Sequence, residues 1–207
     1  LHDALPIFKQ DIRSIETALN GILRVEAVVD TGRENGIYEP DLLHRIERTA
    51  LDFERYRNPD IFVGKVYSIN NILKETHQAL HDNDPDFYRL PPDYNTIAQE
   101  FLLFENAGAD ELESIVDSQF SKTRISFKIP WVDAVVVDRF IQTLRQYTDI
   151  MFANRAEITI TGMSALMART VTAALDSMTR SYLLAFGVIA LMMILLVGDI
   201  KLGLFSM

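Results

Sequence analysis

Eighteen consecutive residues without a charge, Ser181–Gly198 (SYLLAFGVIALMMILLVG), set the first limit on what this chain can fold into. As a helix rising ~1.5 Å per residue the run covers roughly 27 Å, close to the hydrocarbon thickness of a bilayer. Arg180 bounds one end, and Asp199 and Lys201 bound the other. A helix buried in a soluble core is the alternative, but core helices seldom run so far with no polar face. A transmembrane span over residues 181–198 is therefore expected. Gly187 and Gly198 suit it, since glycine is commoner in membrane helices than in soluble ones. Single basic residues flank both ends, so charge does not orient the span. Upstream, Leu166, Thr170, Ala174 and Met178 fall on one side of a helix starting at Met163. That helix is expected to run unbroken into the span, making 162–207 one unit.

The chain as a whole is acidic, with 20 Lys+Arg against 29 Asp+Glu, a net charge of -9 and a pI near 4.9. This argues against a nucleic-acid partner, because a phosphate backbone demands a basic face. A 48% hydrophobic content over 207 residues excludes a disordered chain and is enough for a core. The absence of Cys removes disulfides, thiolate metal sites and Cys nucleophiles, but does not choose a compartment. Leu1–Ile7 reads LHDALPI, which matches the translation of a short-read sequencing adapter. Residues 1–7 are expected to be an assembly artefact, with the authentic sequence beginning near Phe8, and they are excluded from fold reasoning. Gly203–Met207 breaks off inside apolar sequence, so a fragment of a longer protein is expected.

Alternation of period two marks the strands. Val25, Ala27 and Val29 alternate with Arg24 and Glu26 and end at Asp30-Thr31-Gly32. Ile125, Phe127 and Ile129 alternate with Arg124, Ser126 and Lys128, and Pro130 stops them. Ile158 and Ile160 alternate with Glu157, Thr159 and Thr161 before Gly162. Ile61-Phe62-Val63, between Pro59 and Gly64, is read as a fourth strand.

Helices fill the gaps. Pro40 suits a first helical position, and Leu42, Ile46, Thr49 or Ala50, and Phe53 make one apolar stripe behind it. From Trp131 onward, Val132, Val136, Phe140, Leu144 and Met151 are expected to make another. Between them, Ser68 is placed to cap a helix carrying Ile69, Ile72, Leu73, Thr76 and Leu80. Pro91-Pro92 precedes a helix with Ile97, Phe101 and Phe104, and Ala109–Val116 reads as a short third one. The expected fold is α+β: a split βαβ, ferredoxin-like domain with a helical insertion, followed by one transmembrane helix. The first βαβ unit occupies 22–66, the insertion 67–116 and the second unit 117–161, each crossover right-handed.

Candidate site residues have plainer explanations. His77 and His81 are four apart on a helix, a spacing by which two imidazoles share a zinc ion. Gln78 stands where a metalloprotease helix carries Glu, and no motif supplies a third ligand, so a solvated helix end is expected. Asp82, Asp84 and Asp86 imitate the start of a calcium loop, but Phe87 and Asp93 occupy the positions that need Gly and Glu; a polar turn is expected. His44 reads as a surface or boundary histidine, and Asp110, Glu111 and Glu113 as a solvated acidic face at a helix N-terminus. Trp131, Phe127 and Phe140 are candidates for an apolar groove, though aromatics at such spacing are more often core. No catalytic, cofactor-binding or metal site is assigned, no cofactor is expected, and an enzyme is disfavoured.

The stretches VVDTGRENGIYEPDLLHRIE, VGKVYSINNILKETHQALHDNDPDFYRLP, IAQEFLLFE, ITGMSALM and the span ending GDIKLGLFSM, taken in order, carry a resemblance over nearly all of Phe8–Met207. The chain resembles the resistance–nodulation–division (RND) superfamily of proton-driven exporters, in its MMPL-like branch. The resemblance implies that 8–161 is an extracytoplasmic porter domain, lying between the first two membrane helices of one half of a duplicated transporter. The run into GLFSM resembles the second half. It further implies a bacterial inner-membrane protein with 8–180 on the periplasmic side, exporting hydrophobic or amphipathic molecules, lipids included. The implied partners are membrane lipids, the substrate and the remaining transporter bundle, with homo-oligomers left open. The proton-relay residues of such a protein lie in helices outside this sequence. The rival is a single-span, membrane-anchored extracytoplasmic binding or sensory domain.

Overall fold

The computed structural model describes residues 21–106, 112 and 114–197. Among them are four strands in one antiparallel sheet and five α-helices, the last long and apolar. Strand β1 (Leu23–Asp30) turns Val25, Ala27 and Val29 inward, all fully buried. It pairs along its whole length with β3 (Lys122–Ile129), from Leu23↔Ile129 to Asp30↔Lys122. On its other side lies β4 (Glu157–Thr161), from Glu26↔Thr161 to Asp30↔Glu157. Strand β2 (Lys65–Tyr67) pairs with β3, so the order is β2-β3-β1-β4. Because β1 and β2 both oppose β3, they run in the same direction, which requires a crossover connection. Helix α1 (Pro40–Glu54) provides it, and α4 (Ala134–Met151) does the same between β3 and β4.

The two crossover helices meet the sheet through aromatic rings. Phe53 of α1 contacts Phe127 of β3 at 5.3 Å, Phe140 of α4 at 5.9 Å and Tyr147 of α4 at 5.2 Å between centroids, all edge to face. That geometry sets the positive ring edge against a negative face and adds to the gain from burial. Pro40 starts α1 as expected, and Leu42, Ile46, Thr49 and Phe53 are its buried stripe, joined by Leu43.

Three expectations need correction. The strand expected at Ile61-Phe62-Val63 is displaced to Lys65–Tyr67. Ile61 and Val63 are indeed buried, but in a loop that satisfies its own backbone. Asn58 Oδ1 accepts from the N–H groups of Asp60 and Ile61, Asn58 N–H donates to the Ile61 carbonyl, and Val63 N–H donates to the Tyr56 carbonyl. Alternation reports burial, and burial does not require a ladder. The α4 stripe is also rotated. Its buried members are Val137, Phe140, Ile141, Leu144 and Thr148, while Val132, Val136 and Met151 are half-buried at its edge. Val132 precedes the helix, which starts at Ala134, and a stripe stepped every four residues drifts by about 40° per step, which leaves Val136 at the margin of the core face. Trp131 itself is 64% exposed, whereas Phe127 and Phe140 are core.

The insertion stands between β2 and β3. Helix α2 (Ile69–Ala79) follows Ser68, whose N–H donates to Asn71 Oδ1 at 2.9 Å, one arm of a capping box. Leu80, expected in its stripe, is 52% exposed, and His77 is buried instead. Helix α3 (Tyr94–Asn106) buries Ile97, Glu100 and Phe101. Of the expected third helix, Ala109–Val116, residues 109–111 and 113 lie outside the described residues, and it does not reach Val116: Ser114 and Ile115 form a turn and Val116, buried like Leu112, bridges to Thr123 of β3. Tyr38 clamps the insertion to the sheet domain, packing on Phe101 at 5.6 Å and on Phe120 at 5.0 Å.

Two phenols in this packing are held back from ionising. Burial, with Glu105 and Tyr94 nearby, pushes Tyr38 up to about 12. Burial and then the Asp52 carboxylate, which accepts from the Tyr147 hydroxyl at 2.6 Å, push Tyr147 up to about 12. Both folded values exceed the unfolded 10.0. The unfolded chain therefore releases these protons first, and stability present below pH 10 is lost as pH rises towards 12. In ultraviolet titration, Tyr147→Phe is expected to remove part of the absorbance change near pH 12 and flatten the loss of stability above pH 10.

Candidate functional site

Helix α5 (Met163–Val197) is a single 35-residue element, roughly 52 Å long at ~1.5 Å per residue. Its first turns dock on the domain through Ser164, Ala165 and Ala168, which are buried where α5 packs along α4 and against β1 and β4. Small side chains on that face let the helix approach the sheet closely. Beyond the half-buried Thr172 the helix leaves the domain. An eighteen-residue window within it has mean hydropathy 1.9 and none of its residues is buried. The core-helix alternative requires burial, so it does not describe α5. Among the described residues one helix is long and apolar enough to cross a membrane, and it continues unbroken from the domain as expected. Gly198, Asp199 and Lys201, read as its far boundary, lie outside the described residues.

Several polar side chains on α5 bond within the helix, whereas Thr172 Oγ1 is buried without a hydrogen-bond partner and Arg169 reaches to β4. The hydroxyls of Thr170, Thr179 and Ser181 donate to the carbonyls of Leu166, Leu175 and Ser177. Arg180 and Asp176 pair at 3.1 Å one turn apart, at the step from the mixed to the uncharged segment. Towards the domain, Leu166 and Met178 of the expected stripe are exposed, together with Met163, Met167, Val171 and Leu175. This apolar face covers several turns above the span.

The second polar feature lies inside the insertion. His77 and Glu100 are 5% and 3% exposed, and His77 Nδ1 is 2.6 Å from Glu100 Oε1. The other carboxylate oxygen, Oε2, is buried without a hydrogen-bond partner. His81 Nδ1 lies 2.7 Å from the His77 carbonyl, to which it donates, and its ring stacks on Phe87 with centroids 4.0 Å apart. The expected solvated helix end is therefore wrong for His77, because tertiary packing brings α3 over it. The two imidazoles do converge, at 4.5 Å between centroids, but both Nδ1 atoms are engaged. Among the described residues no group of three His, Cys, Asp or Glu is arranged to hold a metal ion. The pair ties α2 to α3. Glu100 escaped the sequence reading, although a charge between Ile97 and Phe101 on an apolar helix face was its visible signal.

The remaining candidates are structural. Asp82 and Asn83 take left-handed backbone, and Asp84 Oδ1 accepts from the Asp86 N–H at 3.0 Å, closing the polar turn that was expected. His44 is exposed on α1. Asp110, Glu111 and Glu113 lie outside the described residues. In a shallow depression of about 360 Å³ beside Asp30 and Arg155 both of these charges are paired: Lys122 lies 2.8 Å from Asp30 and Asp41 lies 3.4 Å from Arg155. The Lys122 ammonium and the Gly32 N–H hold the Asp30 carboxyl below its usual range.

No protein-family model matches the chain, and no curated protein does.

Two outcomes test these features. Ile189→Arg places a charge near the middle of the uncharged run, at a cost of about 2.5–3.5 kcal/mol on insertion scales. It is expected to shift the chain from the alkali-resistant membrane pellet towards the extract. Glu100→Ala strands a buried ring nitrogen, a loss of about 1–3 kcal/mol, and should lower the thermal midpoint more than Glu100→Gln, which keeps an acceptor there.

Proposed function

We propose that this chain is the extracytoplasmic porter domain, with the membrane helix that follows it, of a proton-driven exporter of the RND superfamily in its MMPL-like branch. The observation that carries the proposal is α5: a continuous rod, docked on a folded domain at one end and bare of protein along an apolar length sufficient for a bilayer. The domain is read as a split βαβ, ferredoxin-like fold. Support comes from the order β2-β3-β1-β4, in which the units β1-α1-β2 and β3-α4-β4 interleave their strands and the insertion joins the two. The residue stretches noted above supply the family.

On this reading the domain lies on the periplasmic side of a bacterial inner membrane, and the cargo is a hydrophobic or amphipathic molecule such as a lipid. Proton movement through helices outside this sequence rocks α5, and the sheet domain moves with it to open or close the substrate path. The exposed face from Met163 to Met178 then packs on the rest of the transporter. An apolar surface of several helical turns is otherwise unexpected in a water-facing domain.

Two measurements test this. The complete reading frame should encode further apolar spans on both sides of the sequence, and a frame with one span alone would leave only an anchored domain. Membrane vesicles holding the complete protein should expel amphipathic dyes or labelled lipids while a proton gradient is maintained. Export that survives an uncoupler unchanged would rule out proton drive.

A further inference from the structure

The junction between β4 and α5 contains an apparent weak point. Gly162 separates strand from helix at φ +104°, a backbone state costly for other residues, and glycine's permissive backbone would let the chain swivel there if nothing held it. A swivel would disconnect the domain from its membrane helix. Arg169, two turns into α5, reaches back across the glycine: its Nη2 donates to the Ile160 carbonyl at 3.1 Å. The carbonyl belongs to β4, an edge strand of the sheet, so the guanidinium also occupies a group open to a foreign strand. Gly162 is closed from its own side as well. Its carbonyl accepts the Leu166 N–H at 3.0 Å, and a Cβ at this position would lie 3.3 Å from the Arg24 carbonyl oxygen and 3.4 Å from the Glu26 nitrogen of β1. Ala165 and Ala168, each 1% exposed, supply the apolar half of the contact.

We infer that this junction is a rigid elbow and that Arg169 is the positioning residue that locks it, so that tilt of α5 is delivered to the sheet instead of being absorbed at Gly162. The leverage is large. From Met163 to Arg180 the helix covers roughly 27 Å, and a swing of about 10° at the elbow displaces its far end by roughly 5 Å. A loose elbow would thus erase motions of the size that open a substrate path. The inference rests on α5 being a membrane helix, as proposed above, but not on transport.

The chain has no cysteine, which makes it suited to paired spin labels. With the full chain in nanodiscs of phosphatidylcholine and phosphatidylglycerol, one pair at Lys65→Cys and Ser177→Cys spans the elbow. A second pair at Arg48→Cys and Gln142→Cys lies within the domain. Electron–electron resonance should give a narrow distance distribution for the spanning pair. Arg169→Ala should broaden it by roughly 4 Å while leaving the within-domain pair unchanged, with Arg169→Lys between the two. An unchanged spanning distribution in Arg169→Ala would overturn the inference. So would equal broadening of both pairs, which assigns Arg169 to the fold as a whole. Failure of the chain to enter the nanodisc would instead count against the membrane helix, and loss of proton-driven efflux is read in a separate assay.

Discussion

Apolar surface that the domain has no means of covering is the constraint from which the rest of this structure follows. The sheet, α1 and α4 use their inward side chains on one another, and among the described residues α5 is left largely uncovered beyond Thr172. In a hydrocarbon environment only a helix or a closed barrel satisfies its backbone internally, and α5 does so without interruption. The hydroxyls of Thr170, Thr179 and Ser181 bond back to its own carbonyls, which lowers their demand for water. A rod of this kind needs a foundation, and the sheet provides one by presenting a face on which Ala165 and Ala168 seat closely.

The foundation is stiff because its parts are cross-braced. Phe53 touches both the sheet and α4, so α1 and α4 cannot slide independently, and the Tyr147–Asp52 hydrogen bond fixes their relative height. The insertion is attached differently. Tyr38 clamps it through aromatic contacts, while inside it the buried His77–Glu100 pair joins α2 to α3. Buried ionisable pairs contribute little net stability against an apolar alternative, yet they tolerate few alternative arrangements. The pair thus holds α2 and α3 in one arrangement within the insertion.

Much of this was legible in single stretches of sequence. The inward positions of β1, β3 and α1 follow from their periods, and Pro40 and Ser68 announce the starts of their helices. The misreadings share one cause. Ile61 and Val63, Val132 and Val136, and His77 were judged by local pattern, and each was decided by what packs against it: a self-satisfied loop, a helix whose core face is centred on Phe140 and Ile141 and leaves Val136 at its margin, and a neighbouring helix lying across an imidazole.

By itself the sequence determined an acidic α+β domain and an uncharged run long enough for a bilayer, because charge, period and length are properties of consecutive residues. Only the tertiary structure decided that the run is left unburied, that Glu100 meets His77 and that Arg169 spans Gly162 to reach Ile160. Those are meetings through space: the chain brings the partners within a few ångströms by folding the sheet and crossing the helices, and no local pattern of residues records the distance.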